Sequence, residues 1–213
     1  MNPPARVLTH EIGVVLFDVG GVLVKLSGID IMLGWLGKGL TTEEMWHRWL
    51  HSDIVRRFET GRVEAPAFAR GVIEEFGLPV TPDEFLSSFR EWPMELYPGT
   101  SDMLARIPDT YRCALLSNSN AMHWPRIIDD MGLQSLISRH FVSHLTGRIK
   151  PDPEAFEHVL ETLDCRPREV LFLDDNQINI DAAHRIGMQA VRVRGPETWQ
   201  ALIEHGIIAA EPS

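Results

Sequence analysis

The chain has 213 residues, of which 44% are hydrophobic and 23% are charged. That composition is typical of a globular protein with a substantial core, and the length allows one large domain or a core with an insertion. The formal net charge of −10 argues against nucleic-acid binding, which needs a dense positive surface. No segment approaches the roughly 18 uninterrupted apolar residues of a membrane span, so we expect no membrane partner.

Two features favour a reducing, cytoplasmic environment. Residues 1–6 lack the apolar block of a secretory signal. The two cysteines, Cys113 and Cys165, are too few for a disulfide framework and lack the spacing of a metal site. The sequence gives no indication of the oligomeric state.

The first predicted strand, residues 13–18, ends in a carboxylate that is soon followed by two glycines. The apolar run from Val14 to Phe17 indicates a strand that is buried on both faces of a parallel sheet. An Asp at position 18 then fits the C-terminal edge of the sheet, where α/β proteins bind ligands. Gly20 and Gly21 allow the backbone to turn sharply beside that carboxylate. By itself the pattern is more common as a turn or a helix cap than as a nucleophile.

About 90 residues separate this strand from the next, far more than an ordinary crossover connection contains. Amphipathic helical patterns recur in the interval, at residues 29–37, 42–58, 64–76 and 82–91. Large aromatic side chains for a small core come from Trp35, Trp46, Trp49 and Phe58. We therefore predict a helical cap at 25–95, inserted just beyond the sheet edge that carries Asp18.

Further strand-like segments follow the interval, at residues 112–117, 141–143, 170–174 and 190–193. Helical patterns lie between and before them, at residues 100–106, 153–163 and 178–186. Alternating strands and helices predict an α/β fold with a parallel sheet. Residues 1–24 and 96–213 should thus form a doubly wound, Rossmann-like core.

Polar side chains recur at the ends of these later segments. Ser117 and Asn118 end the second strand, Lys150 precedes a helix, and Asp174 and Asp175 end the fourth strand. Each group also has an ordinary explanation. Ser117 and Asn118 could cap a helix, Lys150 could be a solvated loop lysine, and the two Asp residues could lie in a solvated turn. However, two adjacent carboxylates at the end of a buried strand repel each other unless a cation intervenes, so a magnesium site explains the pair better.

Together the four segments supply the groups needed for phosphoryl transfer through an aspartyl-phosphate. A carboxylate acts as the nucleophile, and Mg²⁺ takes carboxylate ligands while sharing the phosphate oxygens of the substrate. A lysine neutralises charge, and small hydroxyl and amide donors hold the remaining oxygens. No single segment is specific for this chemistry, but all four in this order are.

The four segments resemble the motifs of the haloacid dehalogenase-like hydrolase superfamily over about residues 12–195. The insertion is similar to the C1 helical cap of subfamily IA, in particular of members related to α-D-glucose-1-phosphate phosphatase. Those members share a glycine two residues after the nucleophile, a segment like residues 58–63 and an Asp-Asp-Asn fourth motif.

The resemblance implies a role for each motif residue. Asp18 would be the nucleophile, assisted in catalysis by Lys150. The magnesium ligands would be Asp18, Asp175 and the backbone carbonyl of Gly20, supported by Asp174 and Asn179. The phosphoryl group would be bound by Ser117, Asn118, Lys150, Gly20 and Gly21. The expected activity is magnesium-dependent hydrolysis of a small-molecule phosphate monoester, with a sugar phosphate such as a hexose 1-phosphate favoured.

The sequence departs from most phosphatases of the family at Gly20, where they carry a second Asp. That Asp protonates the leaving oxygen and activates water, and such acid–base catalysis contributes on the order of 10²–10⁴ in rate. Another group could replace it, with His51, Arg57 and Glu59 of the predicted cap as candidates. Alternatively, the leaving group needs little help, as with the anomeric oxygen of a sugar 1-phosphate.

Two other functions remain open from the sequence. A 2-haloacid dehalogenase uses the same fold and an aspartyl ester without a metal, but its relatives typically replace the acids found here at Asp174 and Asp175. A non-catalytic protein that binds a phosphorylated ligand would explain the missing acid at Gly20, although it would not need a nucleophile.

Overall fold

The computed structural model describes residues 11–37 and 39–210. The strands are β1 (Val14–Phe17), β2 (Val24–Leu26), β3 (Pro93–Leu96), β4 (Arg112–Ser117), β5 (His140–Val142), β6 (Val170–Asp174) and β7 (Gln189–Arg192). Five of them form a parallel sheet in the order β5-β4-β1-β6-β7. The predicted α/β fold is confirmed, and each predicted strand is present to within one residue.

The α-helices of the described residues begin with five that follow β2, namely α1 (Gly28–Leu36), α2 (Thr42–His51), α3 (Asp53–Glu59), α4 (Ala65–Phe76) and α5 (Pro82–Arg90). The others lie around the parallel sheet: α6 (Thr100–Ala105), α7 (Leu133–Leu136), α8 (Ser143–Thr146), α9 (Pro153–Leu163), α10 (Gln177–Ile186) and α11 (Glu197–Glu204). A π-helical turn spans Arg126–Asp130.

Strand β1 lies at the centre of the parallel sheet and is fully buried. Its side chains alternate between two cores: Val15 and Phe17 pack on one face of the sheet, and Val14 and Leu16 pack on the other. The chain leaves β1 toward β4 on one side and returns to β6 on the other. This change of direction places the ligand-binding crevice of a doubly wound sheet at the C-terminal end of β1.

The five helices from α1 to α5, residues 28–90, form a separate core that we call the helical unit. Trp49 is at its centre, with ring centroids 5.3 to 6.3 Å from those of Phe68, Phe76, Phe89 and Trp92. The aromatic side chains that suggested a small core, including Phe58, are thus packed together. Phe58 stacks on Phe68 with centroids 4.0 Å apart.

The structure differs from the predicted elements in three places. The predicted helix 42–58 is two helices, because Ser52 ends α2 in extended backbone and its hydroxyl accepts a hydrogen bond from Val55 N–H at the start of α3. A short antiparallel pair, β2 and β3, flanks the helical unit. Helices α7, α8 and α11 were not predicted because their patterns are short. Among the described residues, none of the helices is long and apolar enough to cross a bilayer.

Candidate active site

The register of the sheet brings the predicted carboxylates together. Phe17 pairs with Leu115 on one neighbouring strand and with Leu173 on the other. Asp18 and Asp174 therefore leave adjacent strands at the same level, and the Asp18 N–H donates to the Leu173 carbonyl at 2.8 Å. The site thus lies where the central strand ends.

Lys150 is buried and forms salt bridges with both carboxylates. Its Nζ lies 2.8 Å from Asp18 Oδ1 and 2.7 Å from Asp174 Oδ2, and its own side chain is only 1% exposed. Asp174 is completely buried and also accepts hydrogen bonds from Asn179 Nδ2, at 3.0 and 3.1 Å, and from the Asn176 N–H at 2.8 Å. These donors hold the buried carboxylate in place. Asp174 therefore positions the lysine.

The Asn118 side chain holds the backbone of the lysine loop. Its Nδ2 donates to the Lys150 carbonyl and its Oδ1 accepts from the Lys150 N–H, both at 2.9 Å. The second Nδ2 proton of Asn118 remains for a ligand. Ser117, the last residue of β4, is 3% exposed and borders the same cavity as Lys150 and Asp18.

The two glycines of the pair have different surroundings. Gly21 has φ +78°, and a Cβ there would lie 2.4 Å from Asp175 Oδ2, so this glycine makes room for the Asp175 carboxylate. Its N–H donates to the Val24 carbonyl at 2.8 Å. Gly20 is not left-handed; a Cβ there would lie 2.7 Å from Leu26 Cδ1. The side chain of Leu26 thus covers the position that holds an acid in related phosphatases.

Three carboxylates meet at this point and form a candidate metal site. Oxygen atoms of Asp18, Asp174 and Asp175 lie within 4.8 Å of one another. Burial raises the pKa of Asp18 to about 7, and Lys150 opposes that rise while the other two carboxylates add to it. Burial and the charge of Asp174 raise the pKa of Asp175 to about 6, whereas Arg194 and Lys150 act in the opposite direction.

A cavity of about 290 Å³ opens between this sheet edge and the helical unit. The core contributes its polar end, including Asp18, Gly20, Gly21, Ser117, Asn118, Lys150, Asp175 and Asn179. The helical unit and the segment after it contribute a largely aromatic wall, including Ile29, Trp46, Trp49, Leu50, Phe89, Trp92 and Tyr97. The volume suits a small molecule.

Of the three cap candidates for a substitute acid, the cavity wall contains Glu59. His51 is exposed, and its ring stacks on that of His47 on the outer side of α2. Arg57 is exposed and lies 4.0 Å from Asp53 in its own helix. These two side chains therefore belong to the solvated surface of the helical unit.

Several cavity residues were not predicted from the sequence. Arg194 follows β7 and lies 3.6 Å from Asp175, so the strand-end pattern that identified the other residues also applies to it. Leu26 gave no signal, because it lies on a strand of three residues. His123 also borders the cavity and stacks on Phe89 with centroids 4.1 Å apart.

The fold is a Rossmann-like α/β fold with a buried lysine and an acidic cluster at the end of its central strand. The sequence matches the haloacid dehalogenase-like hydrolase family over residues 12–187. The chain therefore belongs to that family, and the predicted resemblance is confirmed.

Relatives in the family include phosphatases of different substrates. The chain is 23% identical to a D-ribitol-5-phosphate phosphatase of Bacteroides thetaiotaomicron, over 87% of this chain and 94% of the relative. It is 28% identical to a sesquiterpene phosphatase of Aspergillus oryzae, over 81% and 85% of the two chains. A solved family enzyme from Bacteroides thetaiotaomicron, in complex with magnesium and inorganic phosphate, has a TM-score of 0.70, with 24% identity, 90% of this chain and 98% of that chain covered.

Proposed function

We propose that the protein is a magnesium-dependent phosphatase that hydrolyses a small-molecule phosphate monoester through an aspartyl-phosphate on Asp18. The observation that carries this proposal is the meeting of Asp18, Lys150 and Asp175 at the polar end of one cavity. The phosphatases among the curated relatives support the reaction class. The helical unit, within the predicted cap at 25–95, would cover the substrate.

The residues present suit Mg²⁺. The cluster offers carboxylate oxygens alone, which is the ligand type that Mg²⁺ prefers. Asp18, Asp175 and the Gly20 carbonyl would hold the ion, with Asp174 and Asn179 behind them. When bound, Mg²⁺ would neutralise charge on the phosphoryl oxygens.

The chain's own groups would divide the remaining work. One oxygen of Asp18 would be the nucleophile, and its salt bridge to the Lys150 Nζ orients the carboxylate and opposes the rise of its pKa. The same ammonium would contact a phosphoryl oxygen and offset the repulsion between two anions. Ser117 Oγ and the second Nδ2 proton of Asn118 would bind the other phosphoryl oxygens, and the backbone of the Gly20–Gly21 turn would approach from the opposite side.

A sugar phosphate remains the favoured substrate class. Among the described residues, the Ser119 hydroxyl and the Trp92 indole nitrogen are buried without a hydrogen-bond partner, and both residues border the cavity. A substrate rich in hydroxyl groups would satisfy them while its carbon atoms contact the aromatic wall. A polyol phosphate is the named substrate of one relative, which agrees with this chemistry. The free thiols of Cys113 and Cys165 agree with a cytoplasmic location.

The test is a phosphate-release screen over sugar and other small-metabolite phosphates, with Mg²⁺ or with EDTA, for the wild type and Asp18→Asn. We expect release that requires both Mg²⁺ and Asp18. Halide release from a 2-haloacid without metal would instead identify a dehalogenase. Tight binding of phosphorylated compounds without turnover would identify a ligand-binding protein.

A further inference from the structure

Hydrolysis through an aspartyl-phosphate needs a group that gives and takes a proton. An alkoxide is a poor leaving group unless it is protonated as its bond to phosphorus breaks. The water that later attacks the aspartyl-phosphate must lose a proton. Gly20 supplies no such group, and Leu26 covers its position. The inference below rests on the proposed phosphatase function.

Beyond the residues of the phosphoryl and metal site, the described cavity wall has three carboxyl or imidazole groups, those of Asp30, Glu59 and His123. His123 is already occupied: its Nε2 donates to the Phe89 carbonyl at 2.6 Å, and its Nδ1 accepts from Asn120 Nδ2 at 3.2 Å. Asp30 is exposed on α1. Its carboxylate contacts solvent and is not enclosed in the cavity wall.

We propose that Glu59, on the last turn of α3, is the acid–base residue that protonates the leaving oxygen and then activates the water. It is a partly buried carboxyl group in the wall of the same cavity as Asp18 and Lys150. Trp49, a residue at the centre of the helical unit, lines the cavity beside Glu59.

Two contacts on either side of Glu59 fix α3 against the core. Arg56, one turn earlier, forms an ion pair with Asp152, which directly precedes α9 beside the lysine loop. Two residues after Glu59, Gly61 has φ +71° and packs so closely on α8 that a Cβ would lie 2.8 Å from the His144 carbonyl oxygen. The position of Glu59 over the cavity is therefore set by the core as well as by its own helix.

The electrostatic surroundings of Glu59 suit a residue that both donates and accepts a proton. Burial raises its pKa to about 7, while the neighbouring Trp49 and the charge of Lys150 oppose that rise. Near neutral pH, both the protonated and the ionised forms are thus populated, which is the condition for efficient acid and base catalysis.

Both steps conserve atoms and charge. As Asp18 Oδ forms its bond to phosphorus and the bond from phosphorus to the leaving oxygen breaks, the Glu59 carboxyl proton passes to that oxygen and the free alcohol departs. In the second step the Glu59 carboxylate takes a proton from water, the water oxygen bonds to phosphorus, and the bond to Asp18 breaks. The products are the alcohol, inorganic phosphate and the starting enzyme.

The experiment compares Glu59→Gln with the wild type on two Mg²⁺-supported substrates, 4-nitrophenyl phosphate and glycerol 3-phosphate. Nitrophenolate leaves without a proton, whereas glycerol does not. We expect kcat/KM for the alkyl substrate to fall by roughly 10²-fold or more, with a much smaller loss for the formation of the aspartyl-phosphate from the aryl one, measured as a burst of nitrophenol. Glu74→Gln, the same change at an exposed position of α4, is the matched control and should leave both rates unchanged.

Equal losses on the two substrates, or no loss, would overturn the role of Glu59 while leaving the phosphatase function intact. A second measurement needs no variant. Across a series of alkyl and aryl phosphates, the wild type should show a shallow dependence of kcat/KM on the leaving-group pKa, because protonation removes the developing charge; a steep dependence contradicts the proposal. Failure of the underlying function gives a different result, in which the wild type releases no more phosphate than Asp18→Asn from either substrate.

Discussion

The two walls of the cavity are built in opposite ways. At the sheet edge, Asp18, Asp174 and Lys150 are attached directly to buried strands or loops and hold one another through short, buried ion pairs. In the helical unit, Glu59 lies on a helix of seven residues that reaches the core through an exposed ion pair and one glycine contact. The sheet fixes the first wall, whereas the geometry of the second depends on the position of the helical unit relative to the core.

This contrast separates two kinds of function. A site held by β-sheet register and buried hydrogen bonds keeps its geometry whatever substrate enters, so it suits the chemical step that all substrates share. A wall made of aromatic and apolar side chains on helices can change with little effect on the sheet. We therefore expect the sheet edge to set the reaction and the helical unit to set the substrate and the proton transfer.

The largest effect is expected for an Asp-to-Asn change at the sheet edge, compared with the same change in the helical unit. Asp18→Asn removes the nucleophile and should lower kcat by on the order of 10⁴-fold or more, as is usual when a covalent nucleophile is lost. Asp30→Asn alters an exposed carboxylate of the helical unit and should change kcat only slightly. Steady-state phosphate release measures both. Comparable losses in the two variants would contradict the division between the walls.

The next effect concerns the metal and the sheet edge alone. Magnesium at 100 times its dissociation constant should stabilise the wild type by about 2.7 kcal/mol, which corresponds to a rise in Tm of roughly 5–10 °C. Asp175→Asn should abolish most of that rise, because it removes one ligand of the acidic cluster. Asp129→Asn, an exposed carboxylate outside the cavity, is the control. A thermal melt with and without Mg²⁺ tests the prediction, and an unchanged melt of the wild type contradicts it.

Much of the sheet edge was accessible from sequence because its signals are local. An apolar strand followed by a carboxylate, as at Asp18 and Asp174, places that carboxylate at a known edge of a parallel sheet. The bounds of the strands followed from the same runs. By contrast, the break at Ser52 depends on a single hydroxyl that caps α3, and β2 and β3 are too short to show a periodicity.

The relation between the two walls could not be predicted, because it depends on contacts between distant segments. The sequence offered His51, Arg57 and Glu59 as equal candidates, since nothing in a helix of unknown orientation distinguishes them. Packing of Trp49 on α2 and of Phe58 on α3 against neighbouring aromatic rings fixes the orientation of these helices, and the cavity wall then includes Glu59. Leu26 over Gly20 is likewise a tertiary contact without a local pattern.

A third prediction uses the pH dependence of stability to examine Glu59. Its folded pKa of about 7 lies above the value of about 4.3 expected in the unfolded chain, so the folded state binds the proton more tightly. The stabilising contribution of the protonated carboxyl is complete below pH of about 4 and is lost as the pH rises through about 7. Glu59→Gln cannot titrate. Its unfolding free energy, relative to the wild type, should therefore increase by about 2 kcal/mol between pH 5 and 8, a value reduced for the partial exposure of the group.

Urea unfolding at a series of pH values gives this difference directly, because titrations elsewhere in the chain cancel between the two proteins. Glu74→Gln, at an exposed position, should show no such trend. A relative stability of Glu59→Gln that stays constant with pH would mean that the carboxyl is solvated in the folded protein. The electrostatic argument that assigns proton transfer to the helical unit would then fail.

The smallest effect should come from the contact that joins the two walls. The Arg56–Asp152 pair is about half exposed on the arginine side, so Arg56→Ala should lower the unfolding free energy by no more than about 1 kcal/mol. Yet α3 would lose a contact that orients Glu59, and turnover of an alkyl phosphate should fall several-fold more than that of 4-nitrophenyl phosphate.

Arg57→Ala is the matched control, since Arg57 lies on the same helix and faces Asp53 within the helical unit. Identical kinetics for the two variants would show that the helical unit keeps Glu59 in place without this ion pair. A selective loss in Arg56→Ala would mean that an exposed pair of little energetic value still controls proton transfer, because a small displacement of α3 is enough to move a carboxyl away from the leaving oxygen.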